Sequence, residues 1–151
     1  MGWDMAERGL PLGGEAAAHM KQKHRLLLVE DSVDDQFMVK RALRDVPDLV
    51  IEVASNGQEA VDFLFAHEAD PPGLVLLDLK MPQMSGNEAL CVIREKETFT
   101  ELPIVIFTSS IEPADIEEAR RCNATDYVQK PVGFAPYNTL VRDIVRRYMG
   151  V

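Results

Sequence analysis

Basic side chains are the scarce class in this chain. Only 16 Lys and Arg stand against 25 Asp and Glu, for a net charge of −9. A balance of that sign argues against a nucleic-acid partner, because neutralising phosphates takes Lys and Arg. It argues equally against an anionic membrane surface. Long apolar runs are missing too, none approaching the roughly 20 residues of a membrane helix. The N-terminus lacks the form of an export signal, since Asp4, Glu7, Arg8, Gly13, Gly14 and Glu15 interrupt the stretch from Met1 to Met20. A cytoplasmic location is therefore expected. Cysteine is sparse: Cys91 and Cys122 form neither a CxxC nor a metal spacing. In that compartment they are expected as reduced, buried or half-buried thiols. His19, His24 and His67 are scattered and offer no convergent ligand set.

What is present suits one soluble domain. The 151 residues are 46% hydrophobic and 27% charged, enough for one sizeable core. Residues 1–24 show no periodicity and are expected to be a flexible tail. From Arg25 to Val151 short apolar runs alternate with amphipathic stretches. Leu26–Val29, Val50–Ala54, Leu74–Leu77, Pro103–Phe107 and Asp126–Gln129 read as strands. Between them, helical spacing recurs at Met38, Val39, Ala42, Leu43 and Val46 (closed by Pro47), at Ala60, Val61, Leu64 and Phe65, at Leu90 and Ile93, and at Ile116 and Ala119. The strongest stripe comes last, at Tyr137, Leu140, Val141, Ile144, Val145 and Tyr148. Strands this apolar must be covered on both faces, which predicts an α/β fold with a parallel sheet and helices on each side. Repeats, low-complexity segments and a linker before Val151 are absent, so no second domain is expected.

The strand tips carry the chemistry. The first run ends in Glu30-Asp31, the third in Asp78, the fourth in Thr108 and the fifth in Lys130-Pro131. In a parallel sheet these tips share one edge, outside the carboxyl ends of the strands. Each group alone has an ordinary reading as a helix cap, a turn hydroxyl or a solvated charge; their joint placement does not. Three close carboxylates repel one another and call for a cation, and hard oxygen donors suit Mg²⁺. A carboxylate left free can attack phosphorus and form an aspartyl phosphate. Lys130 would neutralise a phosphoryl oxygen and Thr108 would hydrogen-bond another.

Those residues lie in four segments, Leu27-Leu28-Val29-Glu30-Asp31, Leu76 through Gly86, Ile106 through Ser110, and Asp126 through Val132. In these segments the chain resembles the receiver domain of two-component response regulators, over about Arg25 to Tyr148. The pieces Leu-Asp-Leu-Lys-Met-Pro and Phe-Thr-Ser-Ser also resemble the stand-alone regulators that partner phytochrome-type sensor kinases. The resemblance implies a flavodoxin-like, doubly wound sheet of five strands in the order 2-1-3-4-5 with five helices. It implies a signalling phosphoacceptor, not an enzyme in the ordinary sense, that promotes its own phosphorylation and dephosphorylation. Asp78 would take the phosphoryl group from a sensor histidine kinase. Glu30, Asp31, Asp78 and the backbone carbonyl of Lys80 would hold Mg²⁺. Thr108 and Lys130 would contact the phosphoryl group, Thr108 and Tyr127 would act as the switch, and Lys130-Pro131 would be a cis bond. Lys80 and Ser110 would flank the incoming donor or water.

With no output domain, the signal would leave through the fourth helix, fifth strand and fifth helix to another protein. Arg120, Arg121, Asp126, Arg142, Asp143, Arg146 and Arg147 read as a face of mixed charge suited to a homodimer. Three competing readings are weaker. A phosphatase of the haloacid-dehalogenase type wants a second Asp two residues after its nucleophile, where Lys80 and Val33 stand. A dinucleotide-binding domain wants a GxGxxG after the first strand. A vestigial receiver acting as a phosphorylation-independent interaction module would not need the full set of acids, Thr and Lys.

Overall fold

A computed structural model describes residues 24–151; most of the tail expected over 1–24 lies outside them. Strands β1 (His24–Val29), β2 (Leu49–Ala54), β3 (Leu74–Leu77), β4 (Ile104–Thr108) and β5 (Asp126–Gln129) alternate with helices. The helices are α1 (Val33–Ala42), α2 (Gly57–Ala66), α3 (Gly86–Arg94), α4 (Pro113–Arg121) and α5 (Phe134–Met149). All ladders are parallel and the strand order is β2-β1-β3-β4-β5, as the resemblance implied.

Alternation along the strands builds two cores. Leu27, Val29, Val75, Leu77, Ile104 and Ile106 face α2, α3 and α4, packing on Ala60, Leu64, Leu90, Ile93 and Ala119. Leu26, Leu28, Leu74, Leu76, Val105 and Phe107 face α1 and α5, packing on Val39, Leu43, Val141, Ile144 and Val145. Both faces of the three inner strands are thus apolar, which a sheet covered on both sides requires.

Local chemistry sets the helix starts. Ser32, Asn56 and Ser85 each cap a helix by accepting a backbone N–H, and Ser85 and Glu88 form a reciprocal capping box. Pro113 occupies the first turn of α4, where its missing N–H costs nothing. α1 ends at Ala42, earlier than the stripe through Val46 predicted, because the Leu43 N–H closes the last turn and the chain then loosens into turns. Val46 still packs on the core from outside the helix. A 3₁₀ turn at Glu97–Phe99, which the periodicity did not reveal, buries Phe99 completely.

Two expectations are corrected. Cys91 and Cys122 are joined in a disulfide with Cα atoms 5.1 Å apart, not reduced thiols: α3 and α4 pack on the same face of the sheet, and Arg94 of α3 bonds the Asn123 carbonyl just past the end of α4. The Lys130–Pro131 bond is trans, like every peptide bond among the described residues. The tertiary amide separates the isomers by only about 0.5–1 kcal/mol, so local packing decides. Here the Lys130 N–H bonds to the Thr108 carbonyl at 2.7 Å and fixes the tip without a cis turn.

Candidate functional site

Backbone bonds carry the ladder one residue past three strands. Glu30 N–H donates to the Ala54 carbonyl at 2.9 Å, Asp78 N–H to Val29 at 3.0 Å and Lys130 N–H to Thr108 at 2.7 Å. Side chains at these tips therefore sit on one edge at fixed spacing. Glu30 and Asp78 are buried, Thr108 is fully buried, and Asp31 is exposed.

Lys130 is the centre of the charge arrangement. Its Nζ lies 2.8 Å from Glu30 Oε1, 3.2 Å from Asp35 Oδ2 and 3.5 Å from Asp78 Oδ2, with its side chain only 8% exposed. Burial pulls the ammonium down, but the hydrogen bond to Glu30 and the charges of Asp78, Glu30 and Asp35 outweigh it and hold its pKa above the ordinary lysine value. Burial pushes Glu30 up to about 7, against the lowering effects of Lys130 and the Ser32 N–H. Asp78 Oδ1 accepts from the Leu79 N–H at 2.8 Å, which leaves Oδ2 toward Lys130.

Asp35 was not foreseen from the sequence. It stands in the first turn of α1, accepts from the Tyr137 hydroxyl at 2.8 Å and so anchors Lys130 from a third side. Burial first, then Asp35, raises the Tyr137 phenol above its usual value. An acid three residues after the Ser32 cap was the only available signal.

Glu30, Asp31 and Asp78 each offer a carboxylate oxygen, all within 4.8 Å of one another. A set of hard oxygens with one exposed member fits a divalent cation that keeps several waters.

The remaining predicted residues form a second network. The Lys80 side chain turns away from the acids to Asp115 Oδ2 at 3.1 Å. Ser110 Oγ donates to Asp115 Oδ2 at 2.6 Å and accepts from the Glu112 N–H at 3.2 Å. The Ser110 hydrogen bond, then Lys80, holds the Asp115 carboxyl below its usual range. The Thr108 hydroxyl accepts from the Ser110 N–H at 3.3 Å, and among the described residues it has no hydrogen bond to Asp78. The Tyr127 hydroxyl donates to the Ser110 carbonyl at 2.9 Å, placing the ring against the β4–α4 loop. Asn87, buried on α3, donates to the Asp115 carbonyl at 3.3 Å. Lys80 and Ser110 thus meet on Asp115, which sequence reading had also missed, and Thr108 and Tyr127 join the network through Ser110.

The face expected to dimerise is largely satisfied within the chain. Arg120 pairs with Glu117, Arg121 with Glu118 and Arg146 with Asp143. Asp126 accepts from the Tyr148 hydroxyl at 3.1 Å. Arg142 leaves that face and reaches the Ala42 carbonyl at the end of α1 at 3.4 Å. No helix among the described residues is long and apolar enough to cross a membrane.

Known proteins share this fold. In solved structures the chain superposes on a phosphorylated cyanobacterial phytochrome response regulator, RcpA, with a TM-score of 0.79 at 26% identity, covering 83% of this chain and 94% of that one. It superposes on the Mn²⁺-bound response regulator Rcp1 with a TM-score of 0.76 at 27% identity, covering 85% and 96%. In sequence it is 31% identical to the Probable methanogenesis regulatory protein FilR2 of Methanothrix harundinacea, over 83% of each. It is 30% identical to the response regulator Rre1 of Synechocystis, covering 85% of this chain but 54% of that protein. The family model described as the response regulator receiver domain matches residues 26–142. A match that runs from the first strand into the last helix, through every tip described above, shows that the chain belongs to the response regulator receiver family.

Proposed function

We propose that this receiver accepts a phosphoryl group on Asp78 from a sensor histidine kinase, in a Mg²⁺-dependent reaction, and signals through the α4-β5-α5 surface. The observation that carries the reading is the pairing of Asp78 Oδ2 with Lys130 Nζ at 3.5 Å, on an edge shared with Glu30 and Asp31.

In the step we infer, an Asp78 carboxylate oxygen attacks the phosphorus of a phosphohistidine. The O–P bond forms, the P–N bond breaks, and the imidazole leaves with its electron pair and takes up a proton. When bound, Mg²⁺ would be held by Glu30, Asp31, Asp78 and the Lys80 carbonyl and would neutralise phosphoryl oxygens. Lys130 needs only a small shift to salt-bridge one phosphoryl oxygen. The buried Thr108 hydroxyl would exchange the Ser110 N–H for another. Hydrolysis by water in line with Asp78 would return the carboxylate, which is the self-dephosphorylation we assign to the domain. Lys80 and Ser110 would tune its rate from the rim.

The switch follows from the second network. Thr108 bonds Ser110, and Ser110 bonds both Asp115 and Tyr127. A Thr108 drawn toward the phosphoryl group would disturb all three links and release Tyr127, a two-state repacking that both the phosphate and a partner could bias. A homodimer through this face remains our proposal. Its ion pairs are solvent-exposed and individually weak, so exchange for intermolecular pairs would cost little.

Val33 and Phe37 are exposed one turn apart on α1, Val132 and Phe134 are exposed where β5 leads into α5, and Arg41 of α1 stacks 4.6 Å over the Phe134 ring, so we read the four as one apolar patch beside the acids. Scattered exposed apolar residues need no explanation, but contiguous ones mark contacts. We place the phosphoryl donor there. By likeness to RcpA, a phytochrome-type kinase is the donor we would try first.

The test is intact-protein mass after incubation with a small acyl phosphate and Mg²⁺, with Asp78→Asn in parallel. One phosphoryl group on the wild type alone supports the reading. No Mg²⁺-dependent adduct from either the small donor or a kinase would instead favour a phosphorylation-independent interaction module.

A further inference from the structure

α4 is far more lightly embedded than its neighbour α3. Ala119 is its one buried residue, whereas α3 buries Asn87, Ala89, Leu90 and Ile93. The Cys91–Cys122 disulfide runs from the middle of α3 to the residue that closes α4, spanning 31 residues of sequence. Both cysteines are half-buried, so a small oxidant or reductant can reach them. Arg94, one turn beyond Cys91, donates to the Asn123 carbonyl at 2.9 Å and to Thr125 Oγ1 at 3.2 Å. Those bonds grip the turn just after Cys122 and do not depend on the sulfur–sulfur bond. The two thiols would therefore stay opposed after reduction, and the bond could re-form without searching for its partner.

We propose that Cys91 and Cys122 are a reversible redox site whose oxidant is hydrogen peroxide, and that its closed form clamps the C-terminal end of α4 to α3. One thiolate attacks the O–O bond, becoming a sulfenic acid as water leaves after protonation. The second thiol attacks that sulfur, the S–S bond forms and the sulfenic oxygen departs as a second water. In sum, two thiols are oxidised, one hydrogen peroxide is reduced, and both thiol protons end in water. A dithiol reverses it by exchange through a mixed disulfide. The clamp acts at the opposite end of α4 from Ser110 and Asp115, so oxidation and phosphorylation bias the same helix from its two ends. That second statement rests on the phosphoryl reading; the redox site does not.

The experiment uses the full chain in two arms. Maleimide labelling followed by intact mass, after peroxide or after dithiothreitol, is expected to give no adducts and two adducts respectively, interconverting on repeated cycles. Two adducts after both treatments, or an irreversible gain of oxygen, overturns the site. Amide hydrogen exchange over 113–125 is then read in both redox states without phosphoryl donor, and is expected to slow about tenfold in the oxidised protein. Equal rates overturn the clamp. Cys91→Ser is expected to exchange at the reduced rate under both treatments, with Cys122→Ser as the second variant if the first folds poorly. Repeating the exchange with acyl phosphate and Mg²⁺ separates the two readings. Absence of an Asp78 adduct in either redox state, from acyl phosphate and from a kinase alike, condemns the phosphoryl reading alone. An adduct with α4 equally mobile in both states condemns the clamp alone.

Discussion

Gly86 opens α3 directly over the backbone that carries Asp78. A Cβ at this position would stand 2.1 Å from the Asp78 carbonyl oxygen and 2.9 Å from both Asp78 C and Leu79 Cα. Real contacts of this kind need a separation near 3 Å, so Gly86→Ala forces a displacement of about 1 Å. Every atom in the way is backbone. Asp78 is tied to β1 through Val29, Leu79 is buried, and the Gly86 N–H itself bonds to the Leu79 carbonyl at 3.1 Å. Either α3 moves outward and loosens Leu90 and Ile93, or the Asp78 loop moves.

Overpacking against such rigid neighbours costs about 3 kcal/mol, and the better helix propensity of alanine returns at most about 1 kcal/mol. The net loss is about 2 kcal/mol, which lowers a urea midpoint by about 1 M for a typical slope. If the loop moves, the acceptor oxygen is misplaced by a similar distance, and phosphoryl uptake is expected to slow on the order of 100-fold. Urea unfolding by circular dichroism gives the first number and the rate of adduct formation by mass gives the second. Ser85→Ala is the control. It removes the cap, costs about 1 kcal/mol and leaves Asp78 in place, so uptake is expected to stay near wild type. A Gly86→Ala protein with an unchanged midpoint and unchanged uptake would refute the close-approach argument.

Phe37→Ser touches an exposed side chain on α1, so stability is expected to change by less than about 0.5 kcal/mol. Transfer from a kinase should slow while uptake from acyl phosphate does not; equal loss with both donors would move the docking patch elsewhere. Glu30, pushed up to about 7 by burial, must release its proton to ligate a cation, so Mg²⁺ affinity measured by calorimetry is expected to fall about tenfold per pH unit below that value. In the metal-free protein Glu30 holds its proton more tightly folded than unfolded. The stability it contributes is therefore present below its unfolded pKa of 4.5 and is lost as pH rises through 7; a flat affinity profile across this range would contradict the assignment. Lys80→Asn and Ser110→Ala each break a link to Asp115, and both are expected to change the rate of Asp78 dephosphorylation several-fold, read by loss of adduct mass; rates untouched by both would remove these residues from the lifetime control.

The parts of this fold that were legible in the sequence are those set by local pattern. Leu74 to Leu77 could only be a buried strand, and Asp78 after it could only be a tip. Because parallel strands share an edge, reading the strands was enough to bring Glu30, Asp31, Asp78, Thr108 and Lys130 together. Side chains whose role depends on the distance between two helices were not legible. Asp35 looks like any acid in a first helical turn until α1 and α5 pack and Tyr137 meets it. Asp115 looks the same until Lys80 and Ser110 converge on it. Cys91 and Cys122 carry no spacing signal, since a separation of 31 residues says nothing about how α3 lies against the end of α4.

Charge is where those local and long-range parts meet. Glu30, Asp35 and Asp78 all contact one ammonium, and Asp31 adds a further carboxylate at the rim. If all four ionise against Lys130 alone, the site carries a net charge of about −3, a state that a buried pocket resists. Burial answers part of this by favouring the proton on Glu30. Lys130 answers another part through its 2.8 Å contact with Glu30 Oε1, which offsets some of the effect of burial without reversing it. A divalent cation would lower the excess to about −1 and make the Glu30 proton unnecessary. Lys130 would then be less needed by the acids and freer to meet an arriving phosphoryl oxygen. The repulsion among these acids is thus the same term that would favour a cation, and in the function proposed above the cation would free Lys130 to meet the phosphoryl group.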